Sequence, residues 1–387
     1  MTENTKRLLQ KLWSGYTLTA VTLLSTLVAV GLIYGIIALV SSVKNKTAVN
    51  PVSTKYGTTA TAAVYPGLSE HEIDALLKET WSRPYIFEPF TQFKERQYQG
   101  HYVNVDSNGF RVTKNQGPWP PQSNSLNIFL FGGSTTFGYG VADDQTIASY
   151  LQDYLVAGLH REVRVYNFGR GFYYSTQERI LYENLLASGF VPDIAIFVDG
   201  LNDFYYTANE PMFTEQIRDF MEHGPKKDKD KASRLLSSTS LGRSMVSSTA
   251  KPNSTEQPKQ QTEVNYNDPT VIDNVIKRYG ANKKLIEGVS KAFGVKPLFV
   301  WQPVPSYHYD QQYHLFSAGG YGQHSYAQYG YEHMADFIKQ HPLGDNFFWC
   351  ADMQKDSTEP LYIDKLHYSA SFSKQIANAI AGQLIKY

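Results

Sequence analysis

A three-layer α/β/α sandwich on a parallel sheet of about five strands, carried behind one N-terminal transmembrane helix, is the architecture this sequence predicts. Three observations predict it. Beyond residue 125, short apolar runs alternate with stretches of helical spacing, the rhythm of βα units whose parallel strands are covered on both faces. The first of those runs ends in a glycine pair, as a strand does when it turns tightly into a helix. Near the start of the chain, residues 16–43 contain no charged side chain.

That charge-free stretch exceeds the roughly 20 residues needed to cross a bilayer. It is longer than the 7–15-residue apolar core usual in a cleaved signal peptide, and no small-x-small cleavage site follows it directly. It also lacks the polar face of a core helix. An uncleaved anchor is therefore expected. Lys6, Arg7 and Lys11 precede it and Lys44 and Lys46 follow, a small bias that favours a cytoplasmic N-terminus and a periplasmic or extracellular catalytic region. The expected divisions are a cytoplasmic N-terminus (1–15), a span (16–43), a linker without helical period (44–64), an accessory segment (65–121) and an α/β domain (122–387).

In the accessory segment, Ser69 and Glu72 form a capping-box pattern ahead of Ile73, Leu76 and Leu77, so a helix should open there. Residues 100–112 alternate around Asn108-Gly109 and read as a hairpin. In the domain, strands are expected at 126–131, 163–167, 193–198 and 297–302. Helices are expected from Asp144 as N-cap, over 176–188, over 269–293 and over 371–385. Residues 224–265, with the run Lys226-Lys227-Asp228-Lys229-Asp230-Lys231 and abundant Ser, Thr, Gln and Pro, read as a disordered insertion. The formal charge is zero, which removes the basic footprint of a nucleic-acid binder. The single cysteine, Cys350, can form no internal disulfide and reads as a packed small side chain.

Open parallel sheets bind ligands beyond the carboxyl ends of their strands. Ser134 stands there, on the Gly132-Gly133 turn, where its hydroxyl can be exposed. A serine becomes a nucleophile only when a base takes its proton. Asp364-Lys365-Leu366-His367 supplies a base with an orienting carboxylate: Asp364 can bond one imidazole nitrogen and leave the other facing the site. Standing alone, such a pair is also a common loop salt bridge, and Ser134 could be an ordinary cap. Asn202, in Gly200-Leu201-Asn202-Asp203 past the third strand, can donate its amide to a developing oxyanion or cap its own turn. Backbone N–H groups in 167–175 offer another donor. No phosphate loop is expected, since no Gly-Lys-Ser/Thr follows the glycines, and no cluster with metal-ligand spacing is seen.

Taken together, these segments resemble the SGNH hydrolases, the GDSL esterase/lipase superfamily, over roughly residues 125–387. Gly132-Gly133-Ser134 is similar to the first block, with Gly133 where that family usually has Asp. Residues 167–178 resemble the second block, whose glycine lends a backbone N–H; counted from Asn167, its position falls on Phe172, one residue after Gly171. Gly200-Leu201-Asn202-Asp203 and Asp364-Lys365-Leu366-His367 match the third and fifth blocks. The resemblance implies a serine ester hydrolase of SGNH/flavodoxin-like fold with Ser134, His367 and Asp364 as triad. The oxyanion would be held by the N–H of Ser134, the N–H near Gly171 and the Asn202 amide, and no cofactor is implied.

The expected substrate is an ester, an acylated glycan or a lipid, at the cell envelope, with the membrane as the remaining partner and no nucleic acid. An O-acyltransferase acting on a surface polysaccharide with the same triad is the first alternative. A catalytically idle envelope scaffold is the second. Residues 308–333, rich in Tyr, Gly and His, read either as a substrate lip or as a packed loop.

Overall fold

The computed structural model describes residues 3–46, 51–223 and 264–386. The chain opens with one 44-residue helix, α1 (Glu3–Lys46). Its stretch Leu12–Ile37 has a mean hydropathy of 2.3, and none of it is buried against the protein. At about 1.5 Å per residue this is long and apolar enough for a membrane span, and a signal sequence meets the same test.

The expected linker departs from its prediction. It forms α2 (Pro51–Tyr56) and α3 (Thr58–Val64), and Val52, Thr61, Val64 and Tyr65 are buried. The reason is tertiary. Val52 and Val64 join a cluster with Leu76, Leu77, Val103, Phe137 and Ile363, so packing supplies what helical periodicity did not announce. Next comes α4 (Glu70–Trp81), opened by the expected capping box: the Ser69 backbone N–H donates to Glu72 at 2.8 Å while the Glu72 N–H returns to Ser69 Oγ at 3.4 Å. The expected hairpin shrinks to Asn104–Val105 and a bridge from Val105 to Arg111 around the Asn108-Gly109 turn.

The central sheet has five parallel strands: β1 (Leu126–Gly132), β2 (Val163–Asn167), β3 (Ile194–Asp199), β4 (Lys296–Trp301) and β5 (Phe347–Trp349), in spatial order β2-β1-β3-β4-β5. Between them run α5 (Ser134–Phe137), α6 (Ile147–Leu159), α7 (Ser175–Ala187), α8 (Leu201–Tyr205), α9 (Thr214–His223), α10 (Pro269–Phe293), α11 (Ser325–Gln340) and α12 (Ala370–Lys386). The strand β5 had no expectation, being three half-buried aromatics. The start of α6 is also corrected. Asp144 sits in a 3₁₀ turn, and Thr146 is the cap, accepting from the Ser149 N–H at 3.2 Å. The insertion expected at 224–265 lies outside the described residues except for its last two.

Because side chains alternate across a strand, the sheet builds two cores. Ile128, Leu130, Ile196, Val198, Leu298 and Val300 face α6 and α12. Phe129, Phe131, Phe197 and Phe299 face α7 and α10. On this second face Phe131, Phe197 and Phe299 stack across three strands, centroids 4.9 and 5.4 Å apart. β1 lies between β2 and β3, so the chain reverses direction beside β1. This is the switch point at which open α/β sheets leave a crevice.

Candidate active site

The crevice is filled from three strand ends. After β1 the chain turns through Gly132 and Gly133 into α5, with Ser134 its first residue and Gly138, in the left-handed region at φ 86°, its cap. A Cβ on Gly132 would lie 2.1 Å from Thr136 Oγ1, so the turn is too tight for a side chain there. A buried arginine from the accessory segment holds the far end of the turn. Arg111 Nη1 donates to the carbonyls of Phe137 (2.9 Å) and Gly138 (2.5 Å), Nη2 to that of Val141 (2.6 Å), and Nε to Asp143 (2.9 Å).

The Asp364–His367 turn is tied by its own backbone, the Ile363 N–H donating to the His367 carbonyl at 2.9 Å. Asp364 Oδ1 accepts from the N–H groups of Leu366 and His367, both at 2.8 Å, and Oδ2 lies 2.7 Å from His367 Nδ1. Burial pushes the Asp364 carboxyl up, but the His367 charge, its hydrogen bond and the two backbone donors outweigh it and hold the group below its ordinary value. An ionised Asp364 fixes the proton on Nδ1. That leaves the Nε2 lone pair for Ser134, whose Oγ is 2.9 Å away. The imidazole is clamped by Tyr139, stacked with centroids 5.5 Å apart, and by Trp81, edge-on at 5.2 Å.

Beyond β3, Asn202 points its amide at the same turn. Nδ2 donates to the Tyr173 carbonyl at 2.7 Å. A Cβ on Gly133 would come within 2.5 Å of that nitrogen, so the amide lies directly against the Ser134 turn with its second N–H uncommitted. Asp203 accepts from Ser175 Oγ (2.5 Å) and the Gly200 N–H (3.2 Å), which fixes α8.

Gly171 is a correction. Its N–H donates to Glu95 Oε1 at 3.1 Å and is not free for an oxyanion. The next N–H, that of Phe172, finds no acceptor among the described residues. Phe172 adopts φ 62°, the left-handed conformation that a phenylalanine rarely takes and a glycine takes freely. The count from Asn167 had pointed at this position.

Sequence reasoning missed Glu95, which joins three parts of the site. It accepts from Arg83 (3.0 Å), from the Tyr139 hydroxyl (2.8 Å) and from Gly171. Arg83 and Glu95 are both buried. No motif marks them, because their role arises only where the accessory segment meets the sheet. Also missed was Glu178, buried behind α8 beside Asp199, a residue whose place after the third strand reads as structural. Burial first, and then Asp199 and Asp203, push the Glu178 carboxyl well above its ordinary value; burial and Asp203 raise Asp199.

Residues 307–324 include both packed and cavity-lining side chains. Tyr307, Tyr309 and Phe316 are buried in the cores. Gly319, Gly320, Tyr321 and His324 line a cavity of about 330 Å³ with Lys365 and Leu366. His324 packs on Tyr205, centroids 4.5 Å apart. Burial and the nearby His367 lower its pKa to about 4, so it is neutral. A wider depression of about 900 Å³, lined by Asn115, Gln152 and residues 160–164 among others, lies at the opposite end of the strands, far from this chemistry.

The family described as GDSL-like Lipase/Acylhydrolase matches residues 128–380. Among solved structures, the acetylxylan esterase Axe2 from Geobacillus stearothermophilus is 13% identical, covering 69% of this chain and 97% of that one, with a TM-score of 0.36. The psychrotrophic esterase EstA from Pseudoalteromonas sp. is 11% identical, covering 68% and 98%, with a TM-score of 0.34. The lipase Lip_vut3 from a goat rumen metagenome is 11% identical, covering 67% and 98%, with a TM-score of 0.39. No curated protein matches the chain in sequence.

Proposed function

Since this chain belongs to the GDSL-like lipase/acylhydrolase family, a family of ester hydrolases, we propose that it cleaves esters through an acyl-serine intermediate on Ser134. Ser134 Oγ attacks the ester carbonyl carbon while His367 Nε2 takes its proton. The carbonyl oxygen becomes an oxyanion held by the N–H of Ser134, the N–H of Phe172 and the free Nδ2–H of Asn202. Collapse breaks the bond to the leaving alcohol, which departs with the proton from His367. Water, deprotonated by His367, then attacks the acyl-serine and returns the enzyme to its starting state.

The observation that carries this reading is the unbroken contact chain from Asp364 Oδ2 through His367 Nδ1 (2.7 Å) and Nε2 to Ser134 Oγ (2.9 Å). Those distances fall within hydrogen-bond reach of a working base. The test is Ser134→Ala in the full chain, assayed on p-nitrophenyl acetate. Turnover should fall by roughly 10⁴-fold or more with an unchanged melting temperature, and a phosphonate ester should label the wild type on Ser134 alone. Retained turnover, or a label elsewhere, removes Ser134 from the chemistry.

A further inference from the structure

We propose that the ester is the acyl group of an anionic, membrane-resident amphiphile, its chain seated against Val52, Tyr56, Trp81 and Leu366 and its acidic headgroup held by Lys55 and Lys365. The proposal rests on the ester hydrolysis argued above and assigns its substrate class. Three observations carry it.

The groove is the first. A depression of about 260 Å³ runs along the Asp364–His367 turn, with those four apolar residues on its walls. Its size is below the roughly 300–1,000 Å³ of sites that enclose a whole ligand. It therefore suits the acyl portion alone, beside His367, and leaves the polar portion at the rim.

The rim is the second. Lys55 and Lys365 line the same groove, and among the described residues neither is paired with a carboxylate. Lys365 donates only to the Gly320 carbonyl, and Lys55 lies over its neighbour's ring, 5.0 Å from the Tyr56 centroid. Burial and then the charge of Lys55 lower the Lys365 pKa. Asp364 lines the same groove but is committed to His367 and to its own turn's backbone, so a phosphate or carboxylate at the rim would relieve the repulsion between the two lysines.

The position of the groove is the third. Val52, Lys55 and Tyr56 belong to α2, which starts five residues after α1 ends. From Ile37, the last residue of the apolar stretch, the chain can carry Val52 no further than about 35 Å. With α1 in a bilayer, the groove stays within that distance of the headgroups, where an anionic amphiphile is concentrated and a dissolved ester is not.

The experiment reconstitutes the full chain in vesicles and compares phosphatidylglycerol with phosphatidylcholine of the same palmitoyl and oleoyl chains, reading fatty acid released. A third arm offers octanoyl glycerol phosphate dissolved as monomer, and p-nitrophenyl acetate serves as control. The phosphatidylglycerol-to-phosphatidylcholine ratio of kcat/KM should exceed ten. The double variant Lys55→Gln, Lys365→Gln should reduce that ratio at least tenfold through KM, and Lys55→Arg, Lys365→Arg should restore it. Equal rates on the two lipids, or a ratio that ignores both variants, overturns the headgroup assignment. Cleavage of the dissolved ester with none of the vesicle lipid overturns the membrane source. No cleavage even of p-nitrophenyl acetate would instead sink the hydrolase reading beneath it.

Discussion

At the scale of single residues, the site is set by close approach. Gly133 stands where the family usually carries Asp, and its structural reason is the Asn202 amide, 2.5 Å from where a Cβ would be. Its φ of −80° suits any residue, so the constraint is contact and not backbone strain. Gly133→Ala should therefore fold normally and displace the Asn202 donor. Because that donor acts mainly on the transition state, kcat should fall by roughly 10²–10³-fold with little change in KM; a variant with wild-type kcat would separate Asn202 from the oxyanion. Glu178 and Asp199 make a different kind of prediction. Both Glu178 oxygens and Asp199 Oδ1 find no other donor, so a proton held by Glu178 and donated to Asp199 satisfies them. A carboxyl with a raised folded pKa contributes stability that is complete below its unfolded pKa, about 4.3 for Glu, and is lost as pH rises through the folded value. Melting temperature should thus decline from acid toward alkaline pH. Glu178→Gln supplies a permanent N–H donor and should flatten that decline, and parallel profiles for the two proteins would show that no such proton exists. Asp199 reads as structural from its place after the third strand, but its pairing with Glu178 was not legible in the sequence. Glu178 sits in an ordinary helical pattern, and only the fold reveals that it meets Asp199.

At the scale of elements, what could be read depended on whether the signal was local. The Ser69 capping box, the apolar run of β1 and the span of α10 each carry their evidence within a few neighbouring residues, and each stands where expected. The helices α2 and α3 do not. Pro51–Tyr56 and Thr58–Val64 are too short to be stable alone, and they form because Val52 and Val64 pack beside Ile363, some 300 residues later. The choice between the N–H groups of residues 171 and 172 as second backbone donor was not legible for the same reason. Gly171 is the glycine in the motif, yet Glu95, on a distant segment, takes its N–H. Glu95 gives this scale its prediction. Glu95→Ala leaves Arg83 buried without a carboxylate, a loss of about 3–5 kcal/mol, and frees both Tyr139 and the Gly171 loop. Stability and kcat should fall together. Glu95→Gln keeps an acceptor for Gly171 and Tyr139, so it should recover more kcat than stability. Equal recovery of the two, measured by urea unfolding and initial rates, would mean that Glu95 only stabilises and does not position.

At the scale of the whole molecule, the long apolar helix α1 and the α/β fold are joined through α2 and α3, and this decides where the chain can be cut. The stretch Leu12–Ile37 of α1 has none of its surface buried against the protein, so no described packing is lost when it is removed. The next segment is different. Val52, Thr61, Val64 and Tyr65 are buried, the Tyr65 hydroxyl donates to the Gly140 carbonyl at 2.7 Å, and Tyr56 packs edge-on against Phe316 at 5.1 Å. Reading 44–64 as a linker would place the cut at Tyr65 and discard α2 and α3. Each buried aliphatic side chain contributes about 1.5–3 kcal/mol, so losing Val52 and Val64 together should lower the melting temperature on the order of 10 °C. A chain beginning after Lys46 should melt like the detergent-solubilised full chain and turn over p-nitrophenyl acetate at the same rate. A chain beginning at Tyr65 should melt earlier. It also lacks the Val52 and Tyr56 walls of the groove, so it should lose octanoyl esters more than acetyl esters. Identical melting of the two truncated chains would show that α2 and α3 are only a tether. Loss of the fold on removing residues 1–46 would show that α1 supports the catalytic region by contacts beyond those described.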